Sequence, residues 1–130
     1  MKIIDGKGMA LGRMASYVAK EALKGEEVRV INCEEIIITG NKQNIISNFD
    51  RRKKWIGSTQ KGPKYSRDVE VVVKKTIRGM LPEHRDGRGR LAYKRIRCYV
   101  GTPKEFEGAK VDKVEKKKES FSHKIGDILK

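Results

Sequence analysis

Residues 1–32 have the sequence MKIIDGKGMALGRMASYVAKEALKGEEVRVIN. The apolar residues within 1–5 predict a short strand, which a glycine-containing turn follows. From residue 11 to residue 23, apolar residues recur with the i, i+3, i+4, i+7 spacing of an amphipathic helix. Gly25 then stands where glycine commonly ends a helix, and the β-branched residues of 28–32 predict a second strand. A strand, a helix and a strand in this order indicate a βαβ unit, so we predict a parallel sheet with a right-handed crossover.

The rest of the chain shows the same two kinds of pattern. β-Branched residues at 36–39 predict another strand, and apolar spacing predicts helices over 41–55 and 69–80. A strand is the alternative at the start of the second of these helices, but the helical spacing continues past it and favours a helix. Residues 85–90 are rich in glycine and arginine and predict a loop, which a short helical patch follows. Alternating apolar and polar residues over 96–100 predict a half-buried strand.

The length of 130 residues predicts one domain with a core of its own. We expect residues 1–101 to form a single α/β domain and residues 102–130 to form a basic, Lys/Glu-rich C-terminal extension. No run of about 18 apolar residues occurs in the sequence, so no membrane span is predicted. The N-terminus lacks the apolar core of a signal peptide, and two cysteines are too few for a secreted disulfide scaffold. These features predict a cytoplasmic protein.

The charge of the chain is strongly basic and unevenly distributed. There are 31 Lys and Arg residues against 17 Asp and Glu residues, which gives a net charge of +14. Residues 1–40 are neutral overall, whereas residues 41–101 carry seventeen basic and five acidic side chains, a net charge of +12. An excess of positive charge that served solubility alone would be spread over the chain, whereas a nucleic-acid-binding surface concentrates positive charge in one region. The distribution therefore favours a nucleic acid over an anionic membrane surface as the partner.

The basic residues of the middle segment form two clusters that include aromatic residues. The first cluster comprises Arg51, Arg52, Lys53, Lys54, Trp55, Lys61, Lys64, Tyr65 and Arg67. The second cluster comprises Arg78, Arg85, Arg88, Arg90, Lys94, Arg95 and Arg97. Arginine is favoured where a planar, bidentate phosphate contact or stacking is needed, and Gly87 and Gly89 would let the backbone approach a phosphate chain closely. The candidates for stacking on unpaired bases, with core packing as the alternative, are Trp55, Tyr65, Tyr93 and Tyr99.

Other kinds of chemistry have little support in the sequence. A dinucleotide-binding turn needs a glycine three residues after Gly8, but that position is Leu11. The two cysteines and two histidines lack the spacing of metal ligands, and a nucleophilic pair of Cys33 and His84 has no third group to orient it. We therefore predict no catalytic residue, metal, cofactor or small-molecule substrate. A small phosphate-handling enzyme that uses the glycine turn stays open as the rival hypothesis.

Five segments of the chain together resemble one protein family. They are residues 11–16 (LGRMAS), 30–34 (VINCE), 38–42 (ITGNK), 77–82 (IRGMLP) and 99–103 (YVGTP). In this order they are similar to large-subunit ribosomal protein thirteen of the universal set, in its archaeal and eukaryotic form. The most specific segment is IRGMLP, at the end of a predicted amphipathic helix.

The resemblance implies a three-layer α/β/α fold with a parallel four-stranded sheet. It also implies a structural, non-catalytic protein of the cytoplasmic ribosome, which binds large-subunit ribosomal RNA beside neighbouring large-subunit ribosomal proteins and acts early in subunit assembly. Arg13 and Lys42 lie in the similar segments and join the two clusters as expected RNA-binding residues. Arg78 is expected either to hold the turn at 81–82 or to reach RNA. A free RNA chaperone or translational regulator is the remaining alternative.

Overall fold

The N-terminal part of the chain forms the predicted βαβ unit. The computed structural model describes residues 1–55, 62, 64–112, 114 and 121–129. Strand β1 (Lys2–Asp5) pairs in parallel with strand β2 (Val28–Ile31), and helix α1 (Leu11–Leu23) connects them. The apolar face that the spacing predicted is buried, and it includes Met14, Ala15, Val18, Ala19 and Ala22. The predicted helix and the predicted parallel pairing are both confirmed.

Within the described residues, the parallel sheet has three strands rather than the four that the family resemblance implied. Strand β4 (Ile96–Cys98) pairs with β2 on the side away from β1, so the strand order is β1-β2-β4. Strand β3 (Ile37–Thr39) is outside this sheet and pairs antiparallel with strand β5 (Ser122–Lys124). Only residues 32–36, with a 3-10 turn, separate β2 from β3, whereas a parallel strand of the same sheet needs a crossover of about a dozen residues. The expected four-stranded sheet is therefore wrong, while the α/β class is confirmed.

Three α-helices are present in the described part of the middle of the chain. They are α2 (Lys42–Lys53), α3 (Val69–Gly79) and α4 (Gly87–Arg95). α2 and α3 occupy the two segments whose spacing predicted helices, and α3 is helical from its first residue rather than a strand. α3 packs on α1 and buries Val73 and Ile77 in the main core. The strand predicted at 96–100 is present as the shorter β4.

Residues 87–90 do not form the loop that their composition predicted, because α4 begins at Gly87. The side chain of Asp86 caps this helix by accepting a hydrogen bond from the Gly87 N–H over 2.7 Å. Gly89 is buried, and a Cβ built there would lie 2.4 Å from the carbonyl oxygens of both Pro82 and Glu83. The missing side chain of Gly89 thus serves helix packing. The expected approach of this glycine to a phosphate chain is wrong, because the preceding turn covers it.

The core includes residues from the C-terminal segment of the chain. Ile125, in the short helix α5 (Ile125–Ile128), is buried in the main cluster, and its N–H donates to the Ile36 carbonyl over 2.8 Å. A second, smaller cluster packs Phe106 against Ile3 of β1. Described residues beyond position 101 therefore contact the α/β body. The division of the chain at residue 101 stays a prediction.

Candidate nucleic-acid interface

The first basic cluster lies at the C-terminal end of α2. Asn41 caps the start of this helix, since its side chain accepts a hydrogen bond from the Gln43 N–H over 2.9 Å. The last turn and the C-cap consist of Arg51, Arg52, Lys53 and Lys54, all of which are exposed. Cations at this place complement the negative end of the helix dipole. The same side chains therefore stabilise α2 and present four positive charges to solvent.

An aromatic pair lies beside this helix end. Trp55 is 49% exposed, and the centre of its ring lies 6.4 Å from that of Tyr65 in an edge-on arrangement. The Nζ of Lys75 on α3 lies 3.8 Å from the centre of the Tyr65 ring, so a cation covers part of that ring. Tyr65 thus links the end of α2 to α3.

The other predicted residues of this region are exposed where the structure describes them. Lys64 and Arg67 flank Tyr65, whereas Lys61 lies outside the described residues. Arg13 and Lys42 are exposed in the first turns of α1 and α2. The residues around the end of α2 form the first basic surface, namely Arg51, Arg52, Lys53, Lys54, Trp55, Lys64, Tyr65 and Arg67.

The second basic cluster lies on α4, on the turn before it and on β4. Its exposed members form the second basic surface, namely Arg85, Arg88, Arg90, Lys94 and Arg97. Arg78 is half-buried in the last turn of α3. Arg95 is also half-buried, and its Nη1 donates to the Ala22 carbonyl over 3.4 Å. The positive charge of Arg95 therefore lies at the C-terminal end of α1, where it complements the negative end of that helix dipole.

Two of the four candidate stacking residues pack within the protein. The Tyr99 ring lies 5.6 Å from the Phe106 ring at the edge of the smaller core cluster. The Tyr93 ring lies 6.5 Å from that of His84 and 4.7 Å from the Nζ of Lys74. For Tyr99 these contacts agree with the core-packing alternative, since Tyr99 packs against the smaller core cluster. Tyr93 is half-buried and its ring contacts His84 and Lys74, just as the ring of Tyr65 contacts Trp55 and Lys75.

Two half-buried lysines of α3, Lys74 and Lys75, lie over the rings of Tyr93 and Tyr65 and were not among the predicted site residues. Burial, more than the nearby charge of Arg97, lowers the pKa of Lys74 below its ordinary value of 10.5. Lys74 precedes Arg78 by four residues and Lys75 precedes it by three, and such spacings place side chains on neighbouring positions of one helix surface. That spacing was the signal by which these two lysines could have been found.

In the glycine turn after β1, the amides of both Gly6 and Gly8 are engaged in hydrogen bonds to backbone carbonyls. The Gly6 N–H donates to the Ile31 carbonyl over 2.9 Å, and the Gly8 N–H donates to the Glu35 carbonyl over 3.1 Å. Backbone partners therefore occupy the donors that a nucleotide-binding turn would use. Within the described ranges, no helix has both the length and the hydrophobicity needed to cross a bilayer.

The two cysteines are free thiols in the interior. A hydrogen bond with Cys98, together with burial, raises the pKa of the Cys33 thiol. Cys33 is fully buried, so it has neither the thiolate character nor the access of a nucleophile. In the part of the chain that the structure describes, no three His, Cys, Asp or Glu side chains are grouped to hold a metal ion.

The region that contains the parallel sheet and both basic surfaces matches a known family. A sequence model of the family described as Ribosomal protein L13 matches residues 1–105. The chain belongs to the ribosomal protein L13 family. It is 43% identical over 134 residues to the large ribosomal subunit protein uL13 of Methanosphaera stadtmanae, which covers 98% of this chain and 94% of that protein.

Two further archaeal relatives carry the same name. The identity to uL13 of Methanocaldococcus jannaschii is 42% over 128 residues, covering 96% of this chain and 86% of that protein. The identity to uL13 of Methanococcus maripaludis is 44% over 115 residues, covering 86% and 81%. The similarity to archaeal members over most of the chain confirms the predicted family and its archaeal-type form.

In this L13 chain, the IRGMLP segment spans the end of α3 and the turn toward α4. The Met80 N–H donates to the Ile77 carbonyl over 3.0 Å, and the Leu81 N–H donates to the Arg78 carbonyl over 3.2 Å. The carbonyl of Pro82 then packs against Gly89 of α4. The segment therefore fixes the position of α4, and with it the second basic surface, relative to α3.

Proposed function

We propose that this L13-family chain is a structural, non-catalytic component of the large ribosomal subunit that binds large-subunit ribosomal RNA. The archaeal relatives are themselves named large ribosomal subunit proteins, which supports a place for this chain in the cytoplasmic ribosome. Its partners would be the RNA and the neighbouring large-subunit proteins, and its site would be the two basic surfaces together with Arg13, Lys42 and Arg78.

This proposal rests on a difference in ion pairing between the N-terminal module and the two basic surfaces. In the N-terminal module, the carboxylate of Glu21 is neutralised by Lys2 and Lys24. Glu35 lies within ion-pair distance of Lys7 and Lys124. Among the described residues, no carboxylate forms an ion pair with any cation of the first or the second basic surface. Cations that are exposed and unpaired at helix ends are available to the phosphates of a polyanion.

In the mechanism that we propose, the basic side chains of the folded α/β domain neutralise phosphates of the RNA. Each phosphate neutralised lowers the logarithm of the binding constant by about 0.7 to 0.9 per decade of salt. The basic residues are presented from helix ends and turns rather than from one helix that enters a groove. The shape of the folded RNA, rather than its base sequence, would then determine the site.

Neutralising the end of α2 tests this assignment. In the variant R51Q/R52Q/K53Q/K54Q, the slope of log K against log salt for structured ribosomal RNA should become shallower by about 3 to 4, because four phosphate contacts are lost. The Tm should change little, since all four side chains are exposed. Filter binding over a range of salt concentrations measures the slope.

A matched control removes four exposed lysines elsewhere, in the variant K7Q/K20Q/K104Q/K110Q. It changes the net charge equally but leaves the first basic surface intact, so it should retain most of the wild-type slope. Equal slopes for the two variants would show that only net charge matters and would contradict the assigned site.

A further inference from the structure

A cavity of about 450 Å³ lies between α2, α3 and residues 64–66. Its apolar lining comes from four elements of the fold and consists of Leu11, Ile38, Ile45, Phe49, Val71 and Val72. This volume lies within the range of about 300 to 1,000 Å³ that is typical of small-molecule sites. The cavity is therefore large enough for a single planar ring system.

The apolar face of α2 is not packed away in the core. None of the twelve described residues of this helix is fully buried, although Ile45 and Phe49 have the spacing of an apolar face. Both side chains are half-buried and line the cavity instead. An apolar face directed at an open cavity favours an occupant that has apolar surface of its own.

The charged residues at the rim of the cavity favour an occupant that carries negative charge. Arg52, Lys64 and Lys75 all line the cavity, and no Asp or Glu is among its described lining residues. The aromatic ring of Tyr65 lies at the same rim, with the Nζ of Lys75 3.8 Å from its centre. An apolar side chain of a partner protein would contact only the apolar lining of the cavity. A nucleotide would contact that lining with its base and the three cations with its phosphates.

We propose, on the basis of the RNA-binding function above, that this cavity receives one unstacked base of large-subunit ribosomal RNA. The base packs against Phe49 and the α3 valines, and Arg52 and Lys64 pair with the flanking phosphates. The site thereby adds one nucleotide contact to the phosphate neutralisation of the exposed clusters.

Filling the cavity without changing charge tests this assignment. Val71 lines the cavity and is 47% exposed, so Val71→Trp places an indole in the space with little strain on α3. Loss of one stacked base corresponds to a fall in affinity of roughly 5- to 150-fold. We expect a fall in this range for protein-free large-subunit ribosomal RNA in filter binding. Val100→Trp is the matched control, since Val100 is 54% exposed and lies outside the lining, and it should bind like wild type.

Ultraviolet crosslinking to the same RNA, followed by peptide mass spectrometry, gives a second readout. In the wild-type protein, crosslinks should occur at Phe49 or Tyr65. They should disappear in Val71→Trp, while crosslinks at Trp55 persist. Asn48→Trp fills the cavity from α2 and replaces Val71→Trp if circular dichroism shows that the latter is unfolded.

Three outcomes would overturn the proposal. The first is wild-type affinity in both cavity-filling variants, and the second is an equal loss in Val100→Trp. The third is normal RNA binding combined with failure of Val71→Trp to enter reconstituted subunits, which would identify a protein as the occupant. Absence of any binding of the wild-type protein to large-subunit ribosomal RNA would instead overturn the proposed function, whereas the three outcomes above leave that function intact.

Discussion

Substitution of Gly89 with alanine is expected to destabilise the protein and to weaken its binding to ribosomal RNA. Gly89 lies inside α4, where alanine is ordinarily better than glycine by about 1 kcal/mol. Here an added Cβ would lie 2.4 Å from the carbonyl oxygens of Pro82 and Glu83. Because both oxygens belong to the backbone, no side chain can rotate away, and α4 has to move.

The magnitude follows from two opposing effects. Overpacking of a well-packed interior costs about 1 to 3 kcal/mol, and two backbone contacts place this site at the upper end of that range. The helix preference of alanine offsets about 1 kcal/mol. We therefore expect the free energy of unfolding to fall by about 2 kcal/mol. For a chain of this length, that loss corresponds to a decrease in Tm of about 6 to 10 °C.

The assay compares Gly89→Ala with Gly12→Ala in thermal and urea unfolding followed by circular dichroism. Gly12 lies in α1, and apart from its chain neighbours and the backbone of its own helix no atom lies within 4 Å of a Cβ built there, so its substitution should be neutral or stabilising by up to about 1 kcal/mol. Only Gly89→Ala should also lower RNA affinity, since α4 carries Arg88 and Arg90. Equal stabilities for the two variants would refute the packing role of Gly89.

Three further predictions concern a carboxylate, a helix cap and the thiols. Hydrogen bonds from Lys2 and then Lys24 lower the pKa of the buried Glu21 below its ordinary value of 4.5, so its contribution is present above that pH and is lost as the pH falls through the lowered pKa. Glu21→Gln should therefore decrease the Tm at neutral pH, and this difference from wild type should disappear in strongly acidic buffer; a difference independent of pH would contradict the ion pair. Asp86→Ala should lower the free energy of unfolding by about 1 kcal/mol in urea titrations, because the side-chain oxygen that caps α4 is lost. Asp86→Ser keeps a side-chain oxygen at this position and should retain most of the wild-type stability. The buried thiol of Cys33 should react with a maleimide only after unfolding, and rapid labelling of the native protein would argue against its burial.

The local part of the fold was predictable from the sequence. The spacing of apolar residues in 11–23 reports directly which face of a helix is buried, and α1 has the predicted bounds. β3 was placed correctly as a strand but its partner was not predictable, because β5 comes from residues 122–124 near the other end of the chain. Pairing between distant segments leaves no short-range pattern in either of them.

The start of α4 was missed for a related reason. Its first turn, Gly87 to Arg90, has arginines and glycines but no apolar periodicity, so composition predicts a loop. The helix forms there because Asp86 caps it and because Gly89 fits against the turn at Pro82, which is a tertiary contact.

The sequence predicted which residues give the candidate site its positive charge, but it did not predict how they are arranged in space. The exposure of Arg51 and its neighbours agrees with their position at the end of a polar helix. The engagement of Arg95 with the Ala22 carbonyl depends on how α4 meets α1, and no local pattern reports it. The cavity beside Phe49 likewise arises from the incomplete packing of α2, which only the assembled fold shows.

Sedimentation of a cell extract shows whether this chain is a component of the large ribosomal subunit. An extract prepared in low-salt, magnesium-containing buffer is separated on a sucrose gradient, and the chain is detected with an antibody in every fraction. We predict that the chain migrates with the large ribosomal subunit and with whole ribosomes. Recovery of the chain mainly at the top of the gradient, while other large-subunit proteins remain in the subunit peak, would contradict the claim and would indicate a free RNA chaperone or translational regulator.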